Sequence, residues 1–85
     1  MSNAINVHLV RVIADLALFL EFTNEELLDS DTSVGAMERM AAELRLMDDG
    51  DRRSLSDQLK SLSSKYEAER QAQFVKTLPE SLGLE

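Results

Sequence analysis

Between Ile5 and Phe22 apolar residues occupy most of a helical circumference rather than one side of it. Laid out at 100° per residue, His8, Arg11 and Asp15 fall within one arc of about 60° and form a single polar stripe. Ile5, Val7, Leu9, Val10, Val12, Ile13, Leu16, Leu18, Phe19 and Leu20 cover most of the remainder, interrupted by Asn6 and Glu21. A surface helix needs an apolar stripe only somewhat wider than ~100°. The helix predicted here over residues 3–22, with Ser2 or Asn3 as its N-cap, carries more apolar surface than one face of a small bundle uses.

Further along, Thr23-Asn24-Glu25-Glu26 has the form of a capping box and predicts a short helix or bend starting at Thr23. Cap formers cluster again over Ser30 to Ser33, ahead of Val34, Met37, Met40, Ala41, Leu44 and Met47, whose spacing is that of a core-facing stripe. A second helix is predicted over 33–48, with Gly50 in the left-handed position after its end and Asp49 or Asp51 capping the next helix. Leu55, Leu59, Leu62, Tyr66, Phe74 and Leu78 mark a third helix over 52–77, which Pro79 should stop because it lacks a donor and restricts the residue before it. Residues 79–85 are then a short C-terminal tail. Few glycines, one proline and sparse β-branching after residue 34 exclude strands. The expected fold is all-α: one domain over 1–85, an antiparallel hairpin of 33–48 and 52–77, and the apolar helix 3–22 packed on it.

Length turns that excess of apolar surface into a functional expectation. A chain of 85 residues buries only roughly 60% of what it exposes when unfolded, so two companion helices cannot shelter all of the first. Val12, Ile13, Leu16, Phe19 and Leu20 are therefore the candidate seam of a homodimer. The methionine row Met37, Met40 and Met47 reads as core, although such rows also make adaptable binding faces.

Charge narrows the class of partner. The net charge is −7, and residues 21–51 hold ten acids against Arg39 and Arg45, a local excess of −8. Nucleic acid is a poor partner for such a surface, because phosphate neutralisation needs Lys and Arg. A basic protein surface suits it, and Glu25, Glu26, Asp29, Asp31, Asp48, Asp49 and Asp51 are the candidate partner-binding residues. Asp48 and Asp49 stand where the second helix is predicted to end, unfavourable by ~0.3–1 kcal/mol each at low salt, and such a broken local rule marks a candidate site.

Catalytic chemistry finds no constellation. Without cysteine there is neither a disulfide nor a thiolate zinc site, and Asp48-Asp49-Gly50-Asp51 lacks the ligand spacing of a calcium loop, so no metal or cofactor is expected. His8 is alone, Ser61, Ser63 and Ser64 have no base spaced to activate them, and the Glu25–Glu26 pair has no apolar cleft beside it. His8, Arg11, Asp15 and Glu21 interrupt the N-terminal run, which also has no basic leader. Neither membrane insertion nor secretion is expected, and the cytoplasm is the default location.

The segment from Met40-Ala41-Ala42-Glu43-Leu44 through Asp48-Asp49 to Leu55, together with the apolar first helix, resembles the small acidic helical immunity proteins that neutralise bacterial toxins, especially type VI secretion effectors. The resemblance spans about half the chain. It implies a stoichiometric inhibitor, often homodimeric, that covers a toxin's active site or an adjacent surface. A small dimeric helical adaptor or regulatory subunit of a larger complex is the alternative.

Overall fold

Three helix starts among the described residues are set by short polar side chains. In the computed structural model, which describes residues 5–85, Asn6 accepts the His8 N–H at 2.8 Å, Asp29 that of Thr32 at 3.2 Å, and Asp48 that of Asp51 at 2.9 Å. Each satisfies a backbone donor that the first helical turn leaves free. The elements are α1 (Val7–Phe22), α2 (Ser30–Leu44), α3 (Asp49–Leu62), a 3-10 turn (Ser63–Lys65) and α4 (Glu69–Ser81). Among the described residues every regular element is helical.

The all-α expectation therefore holds, with several boundaries corrected. The proposed caps Ser2 and Asn3 lie outside the described residues, and Asn6 starts α1 instead. Thr23 does not open a helix. Its backbone N–H and its hydroxyl both donate to the Phe19 carbonyl, so it closes α1. The capping-box segment is a turn in which the Asn24 carbonyl accepts from Leu27 and Leu28. Asp29 caps α2, which begins at Ser30, three residues earlier than predicted, and ends at Leu44, where the backbone tightens into bonds from Leu46 to Glu43 and from Met47 to Leu44. Asp48 is already extended, so Gly50 lies inside α3 and needs no left-handed backbone.

The long third helix is broken into two. The Ser63 hydroxyl donates to the Lys60 carbonyl at 2.6 Å and that of Ser64 to Ser61 at 3.0 Å, offering the backbone an alternative to continued helix. Tyr66 and Ala68 are extended, and α4 returns along α3 until residues 83–85 lie beside Asp49 and Asp57. The physical reason is burial. Residues 67–73 offer only Ala68 and Ala72 as apolar positions, so a straight helix would carry Val75, Leu78 and Leu82 away from Leu55 and Leu59, whereas the fold places all five in one core. The packed hairpin is consequently α3 with α4, and α2 rests mainly on α1.

Pro79 does not stop α4. It is buried in the last turn, lacks only the N–H that would return to Val75, and leaves the Leu82 N–H bonded to Leu78 at 2.8 Å. Termination falls to Gly83 at φ +72°. Its N–H donates to Glu80 and that of Leu84 to Pro79, while Leu84 is buried, the paired bonds and apolar contact of a Schellman ending. The presumed tail thus belongs to the core.

Core side chains come from α1 (Val10, Ala14, Ala17, Leu18), α3 (Leu55, Leu59, Leu62) and α4 with its ending (Val75, Leu78, Leu82, Leu84), whereas α2 buries only Ala41. At the chain start, Ile5 donates to Ser54 Oγ at 3.2 Å and accepts from Gln58 Nε2 at 2.7 Å, fixing the entry to α1 on α3.

Replacing Gly83 with alanine should destabilise the fold by about 1–2 kcal/mol in urea denaturation, from left-handed strain alone. The added Cβ would also sit 2.9 Å from Arg45 Cδ. A midpoint unchanged from wild type would show that the Arg45 stem and the backbone both relax freely.

Candidate functional site

Inward and outward faces of α1 are unequal in an unusual direction. Ala14 and Ala17, both fully buried, hold the inner face with Val10 and Leu18, while Leu9, Val12, Leu16 and Phe19 are 58%, 53%, 50% and 55% exposed. Small residues let α3 and α4 approach closely, and the large apolar side chains are left on the other side. Their 3-4-3 spacing is the repeat with which one helix meets another along a narrow seam. Of the five residues expected on this seam, Val12, Leu16 and Phe19 stand on the open face; Ile13 and Leu20 are half-buried at its edge, Ile13 against the core. Leu9 and the equally exposed Val7 were missed by sequence reasoning. The signal for Leu9 was present in its spacing from Val12 and Leu16.

One flank of this face is pinned by the polar stripe. Arg11 Nε lies 3.3 Å from Asp15 Oδ1, the Tyr66 hydroxyl donates to the same oxygen at 2.7 Å, and the Arg11 guanidinium carbon stands 4.7 Å from the Tyr66 ring centre. Tyr66, read from sequence only as one of the residues marking a third helix, thereby ties the break between α3 and α4 to α1. Burial first, then the hydrogen bond and charge of Asp15, push its phenol up to about 12. His8 is exposed on the first turn of α1, and among the described residues no cluster of three potential metal ligands forms.

The acidic candidates separate into three places. Asp29 caps α2 with Asp31 in its first turn; Asp48 caps α3 with Asp49 and Asp51 in its first turn, and Asp49 also pairs with Arg52. Negative charge at these positions is favourable to the helix dipole, by ~0.3–1 kcal/mol at most surface sites. The misplaced charge inferred for Asp48 and Asp49 is thus corrected: they begin a helix rather than end one. Since α2 has 15 residues, its start and the start of α3 are separated by about 22 Å of helix, and the two acid groups do not converge. Glu25 and Glu26 form the third place, exposed on the turn after α1, with Leu27 beside them 83% exposed. The Glu26 N–H is held by Asn24 Oδ1 at 2.8 Å, which leaves both carboxylates turned to no partner among the described residues.

No helix among the described residues is long and apolar enough to cross a membrane. No protein-family model, curated protein or solved structure matches this chain. The functional reading therefore rests on the surfaces just described.

Asp48→Ala should lower stability by ~0.5–2 kcal/mol through loss of the cap, measured by urea denaturation, whereas Glu25→Ala and Glu26→Ala should each change it by less than ~0.5 kcal/mol. Tyr66 is the sole tyrosine, so its ionisation can be followed by ultraviolet absorbance without ambiguity. The folded chain should titrate near pH 12 and Asp15→Ala should move the midpoint back toward the ordinary value of 10. Because the folded phenol keeps a proton that the unfolded one loses, this stabilisation is complete below pH 10 and declines as pH rises toward 12. A wild-type midpoint near 10 would contradict the Tyr66–Asp15 contact.

Proposed function

We propose that this chain is a non-enzymatic protein-binding module that pairs with a second copy through α1 and, as a pair, binds a further protein. The observation that carries the reading is the row Leu9, Val12, Leu16 and Phe19, each at least half exposed and spaced as a helix–helix seam. These side chains expose on the order of 400 Å² of apolar surface, within the ~300–600 Å² of the largest and often functional patch on an ordinary monomer. Two such faces with their rims approach the ~1,200 Å² at the lower end of stable interfaces.

Electrostatics favour this face for self-pairing. Two copies of charge −7 repel, yet residues 1–20 carry only Arg11 and Asp15, which pair with each other, so the seam brings no net charge together. The acids then lie away from the seam, available to steer a basic partner.

Neutralisation of a bacterial toxin is the most specific form of this reading, carried by the resemblance of the segment from Met40 to Leu55 and supported by the unpaired Glu25 and Glu26 beside exposed Leu27. Under it, rescue of cells expressing a toxin encoded next to this chain, together with co-purification, is the decisive assay. An adaptor or regulatory subunit is favoured by a different observation: five of the seven acids stand at helix starts, where charge already has a structural task. Absence of both rescue and co-purification would select the adaptor.

Leu16→Glu should convert a two-chain particle into a one-chain particle in light scattering at micromolar concentration, with helicity by circular dichroism unchanged because Leu16 lies outside the core. A wild-type mass of one chain under those conditions would remove self-pairing from the proposal.

A further inference from the structure

We infer that a second surface, the groove between α2 and α4, receives a basic amphipathic helix from a protein partner. The inference rests on the reading of this chain as a binding module and is independent of pairing through α1. The groove has a volume of about 650 Å³ and an apolar lining that includes Val34, Met37 and Phe74. It stays open because α2 rests on α1 and makes no extensive contact with α4, which packs mainly on α3, so the two walls are not held against each other. Along α2 it reaches from Ser33 to Arg45, about 18 Å at the helical rise, which matches three turns of an incoming helix. An occupant of that length offers apolar anchors at i, i+3 or i+4, and i+7. The Met37 thioether can adapt to their shape.

Charge selects the chemistry of the occupant. Glu21 on one side and Glu38 on the other are exposed at the rim, neither is ion-paired among the described residues, and the surrounding segment is the most acidic of the chain. Lysine or arginine on the flanks of a docked helix would face them. Arg45 closes one end, its stem against Gly83, and favours the carbonyl end of the occupant there. A second copy of this chain does not supply such a helix. Its basic residues on α3 and α4 belong to helices whose apolar faces are already buried in the core.

The probe is a fluorescein-labelled synthetic peptide of about 14 residues with leucines at i, i+3, i+4 and i+7 and lysines on its flanks, read by fluorescence anisotropy near physiological salt. Two control peptides keep the leucine face with glutamate flanks, or keep the composition with the leucines scrambled. The lysine-flanked amphipathic peptide should bind at least about tenfold more tightly than either control. Val34→Asp, at a position 55% exposed and therefore safe for folding, should weaken binding by about tenfold although it adds a negative charge. Diffuse attraction to an acidic protein would instead strengthen it. Glu21→Lys with Glu38→Lys should abolish the preference for lysine flanks, and Glu43→Lys with Glu67→Lys, the same change of charge at exposed positions that do not line the groove, should largely retain it. Equal binding of the scrambled peptide, or of the Val34→Asp protein, would overturn the groove assignment. Loss of binding in Leu16→Glu would place the peptide on α1, refuting this inference while leaving the binding-module reading intact; retention there separates the groove from the pairing seam.

Discussion

Full burial of Ala14 and Ala17 on the inner face of α1 is the constraint from which the rest of this small fold is built. Two fully buried alanines, flanked by Val10 and Leu18, form its inward face, and α1 is the element that touches α2, α3 and α4 alike. In a chain this short, a central helix with small inward residues economises on volume, since fewer large side chains are needed to fill the space around it. The consequence appears on the opposite face. Large apolar residues that a bigger protein would bury in its own interior are presented outward, as an exposed apolar face on α1.

The same economy governs the acids. Most of the residues that make the middle of the chain negative stand at the starts of α2 and α3, where they cap backbone donors or meet the positive end of the helix dipole. Their charge is not lost to a partner, because the caps engage only one carboxylate oxygen each, Oδ2 of Asp29 by the N–H and hydroxyl of Thr32 and Oδ1 of Asp48 by the N–H of Asp51. A charge placed for stability can also steer association. Glu25 and Glu26, by contrast, have no such task, and the turn that carries them is held by the Asn24 backbone and side chain rather than by any ion pair.

Packing is uneven across the molecule. The α3–α4 hairpin is closed by Leu84 under a glycine-terminated helix and by Lys60 Nζ at 2.8 Å from a Glu85 carboxylate oxygen, whereas α2 buries a single alanine. Regions with few buried contacts open at lower free energy than the core. The groove beside α2 therefore lies next to the α-helix with the fewest buried side chains, and its other lining comes from α4 and the end of α1.

Residue pattern alone established that this chain is helical, that its first helix has too many apolar positions for one buried face, and that its acidity is local; each depends on the order of side chains along the chain. His8, Arg11 and Asp15 were legible as one stripe for the same reason. Contacts between distant residues decided the rest. Whether Ser63 and Ser64 continue a helix or break it depends on whether Val75, Leu78 and Leu82 gain more by folding back on Leu55 and Leu59, and no local rule contains that comparison. Pro79 could be tolerated because only one donor is missing and its ring finds a place in the core, and Asp48 could be read as misplaced until Leu44 was seen to end α2. Periodicity reports which side chains share a face; which face is covered, and by what, is settled only when remote segments compete for the same apolar surface.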